Sequence, residues 1–309
     1  MKRIAYQAVA VAAFLGVAWF LVSNTVANLE ERRIASGFGF LGREAGFEIG
    51  QSFFLQYSAA DSYLKALTVG LVNTLAVAVI GIVLATGIGS AIGLSRLSGN
   101  SLLKALAGTY VEFLRNVPLL VQLFFWYALI AETLPHPREA LNPLPGVFLS
   151  NRGIFLPTLA STPALQGFNF SGGMAITPEF AALLLGLGTY TAAFIAEIVR
   201  AGILAIERGQ VEAAQAIGLT RWQATRLVVL PQALRVIVPP LTSQYLNLTK
   251  NSSLAVAIGY PDLVSIANTT MNQTGQAIEG VAVIMGVYLS ISLSISAFMN
   301  WYNARIALR

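Results

Sequence analysis

The sequence predicts an all-α integral membrane protein of about six transmembrane helices with a cytoplasmic helix between two of them. Of its 309 residues, 56% are apolar and 11% charged, against about a quarter charged in an ordinary soluble domain. The charges fall in short groups, separated by uncharged stretches of roughly 17 to 25 residues, the length that spans a hydrocarbon core. Lys2, Arg3, Arg96, Lys104, Arg115, Arg208, Arg221, Arg226, Arg305 and Arg309 sit beside or between those stretches, on segments that one alternating topology places together. The positive-inside rule makes that side the cytoplasm.

Composition also removes several function classes. Without cysteine, and with His136 as the lone histidine, there is no disulfide framework, thiolate site or histidine metal cluster. The net charge of +5 is spread too thinly for a nucleic-acid face, so the expected surroundings are membrane lipid.

The first span, residues 4–23, follows two basic residues as a signal peptide does. It is long for a signal core, and keeping it gives an even number of spans with both basic termini inside, so residues 1–23 are read as a retained helix. Residues 24–65 are a polar external segment with mixed charges (Glu30, Glu31, Arg32, Arg33, Arg43, Glu44, Glu48, Asp61), in which Gly37-Phe38-Gly39-Phe40 is turn punctuation rather than a nucleotide loop.

The second span, 66–94, is rich in Gly, Ala, Ser and Thr, which let membrane helices approach closely. The third is read as one continuous span over 102–130, with Glu112, Arg115 and Pro118 in its inner half and Glu112 paired to Arg115. Residues 131–178 carry too much proline and glycine for another span; they form an external insertion at the membrane surface, where His136 is incidental. The fourth span, 180–206, contains Glu197 and Arg200. The fifth, 234–260, is interrupted by Pro239-Pro240, and the sixth, 280–301, ends on Trp301 and Tyr302 at the interface. Residues 303–309 are a cytoplasmic tail.

Between the fourth and fifth spans, residues 207–231 are amphipathic and too polar for the bilayer. A helix there with small residues on one face and a glycine stop makes a knob that seats in a partner's groove. Glu212-Ala213-Ala214, then Gly218, then Leu230-Pro231 resembles the coupling loop of permease subunits of ABC importers, with Val228 where the pattern prefers isoleucine. The surrounding chain resembles the polar amino-acid branch of that family, the histidine/glutamine/arginine permeases. The resemblance lies in Arg115-Asn116-Val117-Pro118-Leu119-Leu120 with Gln122, in the run from Tyr190 to Arg200, in Leu230-Pro231-Gln232-Ala233, and in Lys250-Asn251-Ser252-Ser253-Leu254. It covers residues 66–302, and the first helix with its external segment is similar to the general L-amino-acid permease subfamily.

The resemblance implies a type I importer core of five helices plus one N-terminal helix, moving amino acids by alternating access. It also implies a homologous second permease, two copies of an ABC ATPase and an external amino-acid-binding protein. No phosphate-binding loop of the Gly-x-x-x-x-Gly-Lys-Ser/Thr kind is present, so the chain is expected not to be an enzyme, with ATP and magnesium in the partner ATPase. The competing reading is a secondary transporter driven by an ion gradient; no clear internal repeat supports it.

A zwitterionic substrate requires donors and acceptors inside the membrane, where polar groups are costly unless they face a pore or a partner. Tyr190, Phe194 and Glu197 share one helix face. Glu197 there either receives an ammonium group or pairs with Arg200 or Lys250 to hold the bundle. Gln244, Asn247 and Asn251 share a face beside the double proline, and Asn73 and Thr74 follow Gly70; each set either lines the pathway or bonds between helices.

Overall fold

In the computed structural model residues 2–31, 36–159 and 161–307 are described; Arg32, Arg33 and Arg309, and the side chains of Lys2, Arg3 and Glu30, lie outside the described residues. Among them, five helices are long and apolar enough to cross a membrane, or six if one sharply bent pair counts as a single span. Helix α1 (Lys2–Glu31) stands apart from the bundle, with none of its apolar stretch Tyr6–Asn28 buried. The segment after it folds back as a cap. A 3-10 turn at Phe38–Gly42 sets Phe40 edge-on to Tyr63 with ring centroids 6.0 Å apart, and Ala45 N–H donates to Asp61 O at 2.8 Å.

Helix α2 (Tyr63–Ser95) begins where the Ser62 hydroxyl accepts from Lys65 N–H. It is followed by α3 (Ser101–Asn116) and α4 (Leu119–Thr133), which meet at 106°. The span expected over 102–130 is therefore broken near its middle. Pro118 has no N–H, and the residue before a proline is pushed out of the helical region, as Val117 is at φ −89° and ψ 126°. The carbonyls freed at the break are recovered by Gln122, whose Nε2 donates to Leu114 O at 2.9 Å and Val117 O at 3.0 Å.

The insertion is neither a span nor irregular chain. Strands β1 (Leu141–Leu144), β2 (Val147–Ser150), β3 (Gly153–Leu156), β4 (Ala164–Gln166), β5 (Asn169–Ser171) and β6 (Met174–Ile176) form an antiparallel sheet in the order β1-β2-β3-β6 and a β4-β5 hairpin. Phe170 of the hairpin lies 4.5 Å from Phe148 and 4.9 Å from Phe155 between ring centroids, joining the two. The fold is thus mostly helical with one small β module.

Helix α5 (Pro178–Leu204) is the axis of the bundle and packs along α2. Gly89 and Gly93 make that contact possible: a Cβ on Gly93 would lie 2.7 Å from Ala196 O, and one on Gly89 2.7 Å from Ile195 Cβ. Helices α6 (Arg208–Ala216) and α7 (Arg221–Ala224) and a π turn at Thr225–Val229 lead into α8 (Leu230–Asn251). Pro239 and Pro240 lie inside α8 and do not end it, contrary to the interruption expected; by the i to i−4 rule they leave Arg235 O and Val236 O without helical donors.

A 3-10 stretch, Ser252–Ile258, joins α8 to α9 (Leu263–Thr274), a short helix that the sequence did not indicate. Asp262 caps α9, accepting from Ser265 N–H at 2.8 Å, and burial pushes its carboxyl up to about 6. Helix α10 (Ala277–Ala307) closes the bundle along α8 and α9.

Candidate functional site

At the end of the bundle where α5 stops, the chain makes a compact projection. Leu219 N–H donates to Ala214 O at 3.1 Å and Gly218 N–H to Gln215 O at 2.9 Å, a paired closure that requires the left-handed backbone Gly218 adopts at φ +89°. The chain then turns at once into α7, whose start carries a reciprocal Thr220–Gln223 capping box. Ala214 is buried against the following turn, while Glu212 and Ala213 are exposed. Leu230 and Pro231 are not on this knob. They begin α8, and Leu230 lines an apolar groove with Ile203, Leu234 and Ile237.

Above the knob, Glu197 is held by two arginines. Arg200 Nε donates to its Oε2 at 3.1 Å and Nη2 to its Oε1, while Arg96, at the end of α2, reaches the same carboxylate. Lys250 is not its partner. Guanidinium groups from two helices thus take three of the carboxylate's acceptor positions, which makes Glu197 a tie between α2 and α5. Glu197→Gln is expected to leave two partly buried cations facing each other and to cost about 1–3 kcal/mol, read as a melting point lowered by several degrees. Adding Arg96→Gln should restore part of it. An unchanged melting point with lost transport would return Glu197 to the pathway.

The aromatics nearby are arranged differently from the carboxylate. Tyr190 and Phe194 lie 5.0 Å apart between centroids, and the exposed Arg115 guanidinium stands 5.0 Å over the Phe194 ring. Among the described residues no ion pair joins Arg115 to Glu112, contrary to the pairing expected.

Asn73 and Thr74 are fully buried and committed within the chain. Asn73 Nδ2 donates to Gln51 O at 2.8 Å and Pro261 O at 2.9 Å, and Thr74 Oγ1 accepts from Leu263 N–H at 3.1 Å. Both fasten the segment leading into α9 to α2. Gln244, Asn247 and Asn251 differ: among the described residues their side chains form no hydrogen bond, and with Ser243 and Lys250 they make a polar face of α8 on which Ser243, Asn247 and Lys250 are exposed and Gln244 and Asn251 half-buried. Large apolar side chains dominate the exposed positions of α10 instead, Ile278, Met285, Leu289 and Leu293 among them, with Ser290 and Ser294 beside them. That contrast separates a lipid-compatible face from one that needs a polar neighbour. Lys250, read in the sequence as part of a family motif and as a possible partner of Glu197, lies on this face and forms no ion pair among the described residues.

The sequence profile described as binding-protein-dependent transport system inner membrane component matches residues 78–308. The putative amino-acid ABC transporter permease protein YhdX of Escherichia coli K12 is 46% identical, over 98% of this chain and 93% of its own length. The general L-amino acid transport system permease protein AapQ of Rhizobium johnstonii is 43% identical, over 99% and 92%. The crystal structure of an amino acid ABC transporter with histidines superimposes with a TM-score of 0.58 at 28% identity, covering 79% of this chain and 95% of that one. With a profile match across most of its length and relatives aligned end to end, the chain belongs to the binding-protein-dependent transport system inner membrane components, the multi-pass permease subunits of ABC transporters.

Proposed function

We propose that this chain lines half of an amino-acid import pathway, the other half being a homologous permease seated on the polar face of α8. An ABC ATPase docks on the α6 knob and supplies ATP and magnesium chemistry, and an external binding protein delivers the amino acid to the opposite end. The α6 end is cytoplasmic, as are both termini; the clustering of Arg96, Lys104, Arg208, Arg221, Arg226 and Arg305 at that end supports this orientation. The observation that carries the reading is the knob itself, an exposed nine-residue helix closed by Gly218 and projecting Glu212 and Ala213 away from the bundle. Alternating access then means that closure of the ATPases pulls on α6 and re-angles α5 and α8, the two long helices it joins.

Co-purification tests this. The tagged chain, expressed with its neighbouring genes, is expected to bring down a homologous permease and an ATPase. Recovery of the chain alone, under conditions where the tagged ATPase is stable, would contradict it.

A further inference from the structure

At the end of the bundle opposite the α6 knob, a cavity of about 290 Å³ lies between the capping segment, the start of α5 and α9, and none of its wall comes from α8. That is room for a molecule of amino-acid size, at the lower edge of ligand sites in general, roughly 300 Å³. One bond fixes its shape. Thr177, the cap of α5, donates its hydroxyl to Gln51 Oε1 at 2.5 Å and so pins the capping segment on the start of that helix. Glu48, three residues before Gln51, and Glu179, two after Thr177, both line the space between.

The polar groups of this wall are under-used. Gln51 is 8% exposed, and with its Oε1 taken by Thr177 its Nε2 donates no hydrogen bond among the described residues. Asp262 and Thr269 engage the backbone N–H and C=O of Ser265, while its hydroxyl forms no hydrogen bond among the described residues. The half-buried Glu179 accepts only from Tyr127 Oη at 3.4 Å and the exposed Glu48 from Ala59 N–H at 3.3 Å; neither joins an ion pair among the described residues. No lysine or arginine lines the cavity. A buried donor left without a partner is costly and calls for an acceptor.

Two carboxylates beside unused neutral donors complement a zwitterion, the first matching its ammonium and the second its carboxylate. A metal ion needs more ligands than this: among the described residues no three His, Cys, Asp or Glu side chains gather to hold one. A simple anion would meet two negative charges with no basic group to offset them.

We propose that this cavity receives the free amino acid on its way to the transmembrane pathway, with Glu179 and Glu48 taking the α-ammonium and Gln51 Nε2 and Ser265 Oγ the α-carboxylate. This rests on the transport reading above and adds an entrance site apart from the polar face of α8. Both contacts address groups that every α-amino acid carries, and bonds to ionised partners are the stronger ones. The negative wall disfavours a ligand with a second carboxylate.

The chain contains no cysteine, so Thr269→Cys puts a single thiol in the cavity wall. In the complete complex in proteoliposomes, an impermeant methanethiosulfonate reagent added outside is expected to modify this chain, read as its mass shift. Saturating arginine or glutamine, without ATP or binding protein, should slow that modification at least about 5-fold, and glutamate should protect less. Adding Glu179→Gln should abolish the protection; if that variant does not assemble, Glu48→Gln at its exposed position carries the same test. A thiol that does not react from outside, protection below twofold, protection greatest with glutamate, or protection unchanged by the carboxylate substitution would each overturn the assignment. Failure of the parent complex to transport on ATP would instead remove the underlying reading, and protection is measured without ATP, so the two failures are distinct.

Discussion

Glu212→Lys is expected to detach the ATPase and abolish ATP-driven uptake while leaving the permease folded. Glu212 is exposed on α6 and takes part in no ion pair or side-chain hydrogen bond among the described residues, so the subunit does not depend on it. The knob depends instead on Ala214, on Gly218 and on the Thr220–Gln223 box, all of which the substitution leaves intact. A reversed charge at the centre of a small docking surface costs on the order of 2–4 kcal/mol, roughly 30- to 1000-fold in affinity. Pull-down of the ATPase measures the loss, and size-exclusion chromatography of the permease alone measures its integrity. Normal recovery of an active complex would remove α6 as the coupling element.

Gly93→Leu is expected to prevent folding. The Cβ alone would lie 2.7 Å from Ala196 O and 3.0 Å from Val199 Cβ, and neither backbone nor a β-branched carbon can move aside without separating α2 from α5. Overpacking of this kind costs about 3 kcal/mol or more, and α2 against α5 is the most extensive helix contact in the bundle. Gly87→Leu, at a position where a Cβ meets nothing within 4 Å, serves as the control on the same helix. Folded yield should collapse for the first and persist for the second. Equal yields would show that the helices do not pack as closely as described.

What the sequence disclosed follows from which signals are long-range in the chain and which are not. A span announces itself because some twenty apolar residues must be consecutive, and so the helices around residues 66–94, 180–206 and 280–301 were legible within a few residues. The short helix between α5 and α8 was legible because its glycine stop, Gly218, acts locally. The break at Val117-Pro118 was hidden inside an apolar run; reading it required giving Pro118 more weight than the hydropathy on either side. The β module was hidden because strands of three or four residues, paired across proline- and glycine-containing turns, leave no usable period.

The partners of Glu197 show the limit most clearly. Helical spacing pointed to Arg200, three residues on, but Arg96 comes from 101 residues away, and only the packing of α2 on α5 brings it there. Of the two roles the sequence left open for Glu197, substrate contact or structural pairing, that second arginine favours the pairing.

The most direct test of the transport reading is amino-acid uptake into proteoliposomes containing this chain, its companion permease and the ATPase, with binding protein outside and ATP supplied to the α6 side. Uptake that requires both ATP and binding protein, and that is indifferent to proton and sodium gradients, is the predicted result. Uptake that proceeds without ATP and follows an imposed ion gradient would contradict it.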